Sequence, residues 1–274
     1  MPELPEVETI CKSIANVINK KTITDVFQRR TDLRWSLKKE IRSELLNKKL
    51  GLPKRIGKYI LIPIESEKYL LFHLGMSGRI RIHKNCPKLE KHDHFLLCLD
   101  NKTWLIYNDA RRFCFIDLLK KENISKHFLL KNLGVDALSK KLNINLLKKS
   151  LTQRKSNIKY ILLKQNIISG IGNIYCNEIL FKAKILPMRS SNKIKGNDLR
   201  KLLFSIKEIL TAAIELGGTT IKDHINPNGD IGYFKQKLNV YGRGAELCRF
   251  CHEKIIEIKK LQINNVDIWK ITIE

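Results

Sequence analysis

Residues 59–83 read YILIPIESEKYLLFHLGMSGRIRIH. Three short apolar runs, Tyr59 to Ile64, Tyr69 to Leu74 and Arg79 to His83, are divided by turn residues, a pattern of antiparallel strands and not of a helix. Downstream, Phe95 to Leu99 and Phe113 to Leu118 repeat it, and upstream the β-like character begins near Ile23. The spacing predicts a β-sandwich or flattened barrel. In front of it, Val7, Ile10, Ile14 and Ile18 recur at helical spacing from Pro5 onward, with glutamates in the first turn where the helix dipole favours them. After Lys120 the strand signal stops. Leu199, Leu202, Leu203, Ile206, Ile209, Leu210 and Ala213 make an amphipathic helix closed by Gly217 and Gly218. Two shorter helices, at about 157–165 and 173–182, flank Ser169-Gly170-Ile171-Gly172-Asn173, whose glycines permit a tight turn and close backbone approach. From Cys248 the tail returns to β character. The fold class expected is α+β, with a leading helix and β-sandwich over 1–120, a helical domain over 121–238 and a terminal β-hairpin over 239–274.

The chain of 274 residues carries 52 Lys and Arg against 27 Asp and Glu, a net charge of +25 spread along its length. A polyanion is the expected partner. No window approaches the ~18 apolar residues of a spanning helix, and the start MPELPEVETI is acidic and unlike a signal peptide. A cytoplasmic, nucleoid-associated protein is expected, and a monomer, since no coiled-coil pattern is present. The seven cysteines (Cys11, Cys86, Cys98, Cys114, Cys176, Cys248, Cys251) are odd in number and mostly sit in apolar runs, which suits reduced thiols better than a disulfide framework. Only Cys248 and Cys251 are spaced as a chemical pair.

Removal of Met1 would make Pro2 the N-terminus, with a free secondary amine. Such an amine, with an α-amino pKa near ~8, attacks a sugar C1′ to give an iminium ion. Taken alone, a proline near a terminus is merely tolerated. Beside it stand Glu3 and Glu6, carboxylates able to protonate a sugar ring oxygen or to shuttle protons. Both also suit the start of a helix, and Glu6 reads mainly as structural.

The start MPELPEVET is followed, in order, by Arg55-Ile56-Gly57-Lys58-Tyr59, His73-Leu74-Gly75-Met76-Ser77-Gly78-Arg79, Lys91-His92-Asp93-His94, Asp109-Ala110-Arg111-Arg112-Phe113 and Gly170-Ile171-Gly172-Asn173-Ile174-Tyr175. These six motifs closely resemble those of the formamidopyrimidine-DNA glycosylases, across about residues 1 to 250. The Leu4-Pro5 form of the leader is similar to the purine-repair branch and less so to endonuclease VIII. The resemblance implies base-excision repair of damaged double-stranded DNA: a bifunctional glycosylase and abasic-site lyase acting on 8-oxoguanine and formamidopyrimidines. By it Pro2 is the Schiff-base nucleophile, Glu3 the proton donor and Lys58 the hairpin lysine that contacts phosphate and assists β-elimination. Physics allows the last role, because a lysine on a tight hairpin stabilises a departing phosphate; a solvated lysine is the ordinary alternative. A base inside a duplex is reached only after extrusion, and something must fill the gap. Met76, Arg111 and Phe113 match the family's void-filling residues, two wedges and an arginine that pairs with the orphaned cytosine. On spacing alone, Met76 and Phe113 read as core. His73, His92, Arg111, Lys155 and Asn173 match DNA-contact positions, Asn173 at a helix N-terminus suited to phosphate. The resemblance also makes the helical domain a helix-two-turn-helix and residues 219–236 the loop that covers the extruded base.

The chain departs from the family at its end. Four-cysteine zinc fingers are usual there, but Cys248-Arg249-Phe250-Cys251 is followed by no further cysteine, and His252 is poorly placed as a third ligand. No cofactor is therefore expected, with Cys248 and Cys251 a remnant pair. Ile256 and Ile258, a turn at Asn264-Asn265, and Trp269, Ile271 and Ile273 still read as a hairpin, held by cross-strand packing. No arginine follows Arg249, and Lys259, Lys260 and Lys270 do not reproduce a guanidinium fork. β-Elimination with weak or absent δ-elimination is expected. Ala110 and Cys114 stand where the family often has proline and glycine. The competing readings are a non-catalytic damaged-DNA-binding homologue, an endonuclease VIII-type oxidised-pyrimidine glycosylase and, on charge alone, a generic nucleic-acid-binding protein.

Overall fold

The computed structural model describes residues 2–34, 37, 40–219, 232–250 and 252 in full, and the backbone of 257–263 and 266–272. Helix α1 (Leu4–Ile18) opens the chain. Glu3 and Glu6 form a capping box at its start, and Pro5 sits in the first turn, where its missing N–H costs nothing. The helix buries one stripe completely: Leu4, Val7, Ile10, Ile14 and Ile18. Then follow β1 (Ile23–Gln28), α2 (Ile41–Leu45), β2 (Lys54–Ile56), β3 (Tyr59–Ile64), β4 (Lys68–His73), β5 (Arg79–Lys84), β6 (Asp93–Leu99), β7 (Thr103–Asn108) and β8 (Phe115–Lys120).

These strands form two four-stranded sheets, ordered β1-β6-β7-β5 and β2-β3-β4-β8, with every neighbouring pair antiparallel. Their inner faces share one core. Ile60, Ile62, Ile64, Leu70 and Phe72 from the second sheet meet Val26, Phe95, Leu97, Leu105 and Tyr107 from the first, together with the apolar stripe of α1. The period-two alternation therefore gives the expected sandwich. One expectation is corrected: β8 begins at Phe115, so Phe113 lies on the preceding loop and outside the strand.

The helical part holds β9 (Val135–Asp136), α3 (Ile144–Thr152), α4 (Ile158–Leu163), β10 (Ile168–Ser169), α5 (Asn173–Lys182) and α6 (Gly196–Glu215). Asn143 and Asn157 cap α3 and α4 through their side-chain oxygens. β9 and β10 pair in parallel. A terminal antiparallel hairpin, β11 (Glu257–Ile263) and β12 (Val266–Thr272), sets Ile258 opposite Ile271 and Lys260 opposite Trp269. Its turn, Asn264-Asn265, lies outside the described residues, as do Ile256 and Ile273.

The chain divides into two compact units, 1–132 with 216–233, and 133–215 with 234–274. The first is discontinuous in sequence. Among the described residues, no helix is long and apolar enough to cross a membrane.

Candidate functional site

The first unit carries the leader. Pro2 is buried directly before the helix, and Glu3 and Glu6 are buried too. One oxygen of Glu6 accepts the backbone N–H of Glu3 at 2.9 Å; the other accepts both the N–H and the hydroxyl of Thr219, each at 2.9 Å. Glu6 is thus a cap, as its position suggests, and also a tie to the segment after α6. Gly218 makes the approach possible: its φ is +80°, and a Cβ there would stand 3.0 Å from the Glu6 carboxylate. Nothing in the sequence marked this contact, because Gly217 and Gly218 read simply as a helix stop.

Lys58 lies on the β2–β3 hairpin after Gly57, and only 6% of it is exposed. A solvated surface lysine is therefore excluded. Arg55 fixes the hairpin, donating to Glu8 of α1 at 2.8 Å and to the Gly57 carbonyl at 3.0 Å. The charge of Lys58 reaches His73, whose ring lies 4.8 Å from that of Tyr59. Burial first, and then the positive charges of Lys58 and Arg34, lower the His73 pKa from 6.5 to about 4. Its Nδ1 accepts the Gly75 N–H at 3.3 Å, which assigns the proton of the neutral ring to Nε2. A neutral donor results at pH 7.

That depression has a measurable sign. Between pH 6.5 and 4 the unfolded chain binds a proton at residue 73 that the folded chain refuses, so stability falls as pH drops through this window and is unaffected above it. Urea unfolding at pH 7, 6 and 5 is expected to show a smaller acid loss for His73→Asn than for the unaltered chain. Equal losses would remove the histidine from the account.

His73, Met76, Arg111 and Phe113 line one cleft of about 690 Å³, together with Asp32, Arg34, Gly75 and Arg112. Met76 and Phe113 are 43% and 42% exposed, so neither is the core residue that spacing suggests. The Arg111 guanidinium lies 5.2 Å from the centre of the Phe113 ring. The side chain of Asp32 accepts from Arg30 at 2.8 Å, which lowers its pKa to about 2 and keeps it ionised. His92 is half-buried in front of β6, 6.3 Å from the ring of His94, and does not line this cleft.

Lys155 and Asn173 belong to the second unit. Lys155 is exposed between α3 and α4, and Asn173 is the first residue of α5, capped by Gly172. Behind Asn173, its carbonyl accepts from the Asn177 side chain at 2.7 Å, and Asn177 in turn accepts from the buried ammonium of Lys159 at 2.9 Å. The sequence reading overlooked Glu178. Its buried carboxylate accepts the backbone N–H groups of Asn239, Val240 and Tyr241, each at 2.9 Å, and so anchors the start of the C-terminal segment.

Cys248 is buried against Val240 and Phe181, His252 is exposed, and Cys251 lies outside the described residues. Among the described residues, no three Cys, His, Asp or Glu side chains gather as metal ligands. A four-ligand zinc does not fit two thiols with one neighbouring exposed imidazole. Of the loop expected over 219–236, residues 220–231 lie outside the described residues, and Thr219 pairs with Tyr233 at its two ends.

The model of the formamidopyrimidine-DNA glycosylase N-terminal domain matches residues 1–116, and that of the formamidopyrimidine-DNA glycosylase H2TH domain matches 133–225. The formamidopyrimidine-DNA glycosylase of Zymomonas mobilis is 41% identical over 252 residues, 92% of this chain and 93% of that protein. A solved complex of Lactococcus lactis Fpg with DNA containing an abasic site is similar with a TM-score of 0.87, at 31% identity, over 98% of this chain and 97% of the other. A complex of wild-type Lactococcus lactis Fpg with DNA containing N7-benzyl-Fapy-dG matches equally, with a TM-score of 0.87, 31% identity and the same coverage.

Proposed function

This chain belongs to the formamidopyrimidine-DNA glycosylase family and is a DNA glycosylase of base-excision repair; from that premise we propose that it removes oxidised purines from duplex DNA through a Schiff base on Pro2 and then cleaves the strand. The observation that carries the reading is the convergence of His73, Met76, Arg111 and Phe113 on one cleft. The Lactococcus relative has been solved with N7-benzyl-Fapy-dG DNA and with oxidised-pyrimidine DNA, so the choice of purines rests on the Leu4-Pro5 form of the leader.

In this reading Met76 and Phe113 occupy the gap left by the extruded nucleotide and Arg111 pairs with the orphaned cytosine. Glu3 protonates the sugar ring oxygen while the secondary amine of Pro2 attacks C1′. The glycosidic bond breaks, the base leaves with a proton, and the iminium links enzyme to opened sugar. Loss of the C2′ proton then expels the 3′ phosphate, which Lys58 stabilises. His73 and His92 donate to backbone phosphates, while Lys155 and the N-terminus of α5 at Asn173 hold phosphate from the second unit. The chain acts as a monomer on nucleoid DNA, since one lesion needs one copy.

Borohydride trapping on duplex DNA with 8-oxoguanine opposite cytosine tests the reading, in protein whose N-terminus is Pro2. A covalent adduct is expected. Tight lesion binding without adduct or cleavage would mean a non-catalytic homologue, and faster excision of thymine glycol than of 8-oxoguanine would mean a pyrimidine enzyme.

The terminal hairpin stands without zinc in this proposal, its strands supporting each other. Metal analysis of purified protein is expected to find far less than one zinc per chain; one per chain would overturn it. With no arginine after Arg249, strand cleavage stops mainly at the β-elimination product, an unsaturated aldehyde on the 3′ terminus of the upstream fragment facing a 5′-phosphate across the gap. Mass analysis of the cleaved strand decides this, and full conversion to a gap phosphorylated at both ends would refute it.

A further inference from the structure

We propose that Asp109 is a positioning residue that couples the two loops of the cleft, so that Met76, Arg111 and Phe113 enter DNA as one body. This rests on the reading that those side chains fill the space of an extruded nucleotide. Asp109 follows β7 and is wholly buried. One oxygen of its carboxylate accepts the Ser77 hydroxyl at 2.5 Å and the Arg111 N–H at 3.1 Å; the other accepts the Cys114 N–H at 2.9 Å. The Ser77 oxygen itself accepts the Arg111 N–H at 3.2 Å. A single charge thus holds the residue after Met76, the backbone of Arg111 and the residue after Phe113.

The main chain of Asp109 is fixed as firmly. Its N–H donates to the His92 carbonyl at 3.0 Å, and its own carbonyl receives His94 Nε2 at 2.7 Å. The loops touch backbone to backbone as well: Gly75 has φ +61°, and a Cβ there would lie 2.5 Å from the Phe113 carbonyl oxygen. Hydrogen bonds to a carboxylate are stronger than neutral ones, and removing this one takes the acceptor from the buried Cys114 N–H and from the Ser77 hydroxyl and leaves the Arg111 N–H only the Ser77 oxygen. Base stacking resists insertion, so wedges that yielded separately would let the duplex close. Wedges fixed to one carboxylate resist together, and Arg111 meets the orphaned base at a set position.

Asp109→Asn keeps the shape but turns a donor toward one of the three N–H or O–H groups; Ser77→Ala removes one link and leaves the carboxylate. Three readouts separate positioning from folding. 2-Aminopurine beside the lesion reports unstacking without any chemistry. Excision opposite cytosine and opposite adenine reports how Arg111 is held. Cleavage of a pre-formed abasic site in single-stranded DNA needs no wedge. Asp109→Asn is expected to lower the unstacking signal, to slow excision by about tenfold or more and to narrow the cytosine-to-adenine ratio. Single-strand cleavage is expected to change by less than about threefold. Ser77→Ala gives the same split in milder form and decides the matter if Asp109→Asn does not fold. Unchanged unstacking and ratio in the folded variants, or an equal fall in all three readouts, would overturn the proposal. A failure of the unaltered chain to form any trapped adduct would count against the catalytic reading, and the unstacking signal would still judge Asp109.

Discussion

Replacing Pro2 by glycine lowers 8-oxoguanine excision by about 10³-fold or more and abolishes the borohydride-trapped adduct, the scale of loss expected when a covalent nucleophile is removed. The pyrrolidine does two things that glycine does not. Its secondary amine condenses directly to a charged iminium, and its ring is buried in front of α1, which fixes the nitrogen. A glycine keeps an α-amine but loses that anchor, and small errors in attack geometry cost heavily. The helix itself begins at Leu4, after the substituted position, so the melting temperature is expected to stay within a few degrees. Protein retaining Met1 should be as inactive as the variant, because its residue 2 nitrogen is an amide. A Pro2→Gly chain that excises at the unaltered rate would end the nucleophile assignment.

Glu3→Gln is expected to slow base excision by about 10²- to 10⁴-fold, the range of general acid catalysis, while cleavage of a pre-formed abasic site in the same duplex falls by far less. The distinction is chemical. An abasic sugar already presents an aldehyde to the amine, whereas an intact nucleoside must open its ring, and the proton for that step comes from Glu3. The capping role of Glu3 makes a rival account available. Glutamine retains a carbonyl acceptor for the cap, so loss of the cap alone would cost no more than about 1 kcal/mol of stability and would slow both reactions alike. Parallel rate measurements on the two substrates decide between acid and cap.

The sandwich was legible because short apolar runs alternate with turn residues. Tyr59 to Ile64 matches β3 to the residue, and α5 matches its expected span, its start marked by the glycines at 170 and 172. Phe113 was misread for the same reason: an aromatic beside an apolar run looks like strand, whereas Arg112 has φ +56° and the Asp109 carboxylate holds Arg111 and Cys114 on either side of the turn. Met76 and Phe113 also show the limit of spacing, which registers an apolar residue but not whether it faces a core or a cleft. Lys58 misled in the opposite sense, a charge on a hairpin turn that the fold buries. Helix α3 was passed over although Leu147 and Leu151 stand at helical spacing: it is only nine residues long and carries lysines among its leucines. The tie from Glu6 to Thr219 and the role of Glu178 were invisible, because those partners lie 213 and 61 to 63 positions away and any carboxylate near a helix has a local explanation.

The tie between Glu6 and Thr219 has a bearing on how the protein is made. A ribosome emits the nucleophilic end first and Thr219 some two hundred residues later, and the entropy of closing so long a loop is met only when both ends are present. Until Thr219 is made, Glu6 lacks its two distant donors. The first unit cannot be cut out as residues 1–132 without stranding that buried carboxylate, whereas a chain that ends after Tyr233 still contains every residue of the unit. The N-terminal half of this enzyme is finished only when the C-terminal half is almost complete.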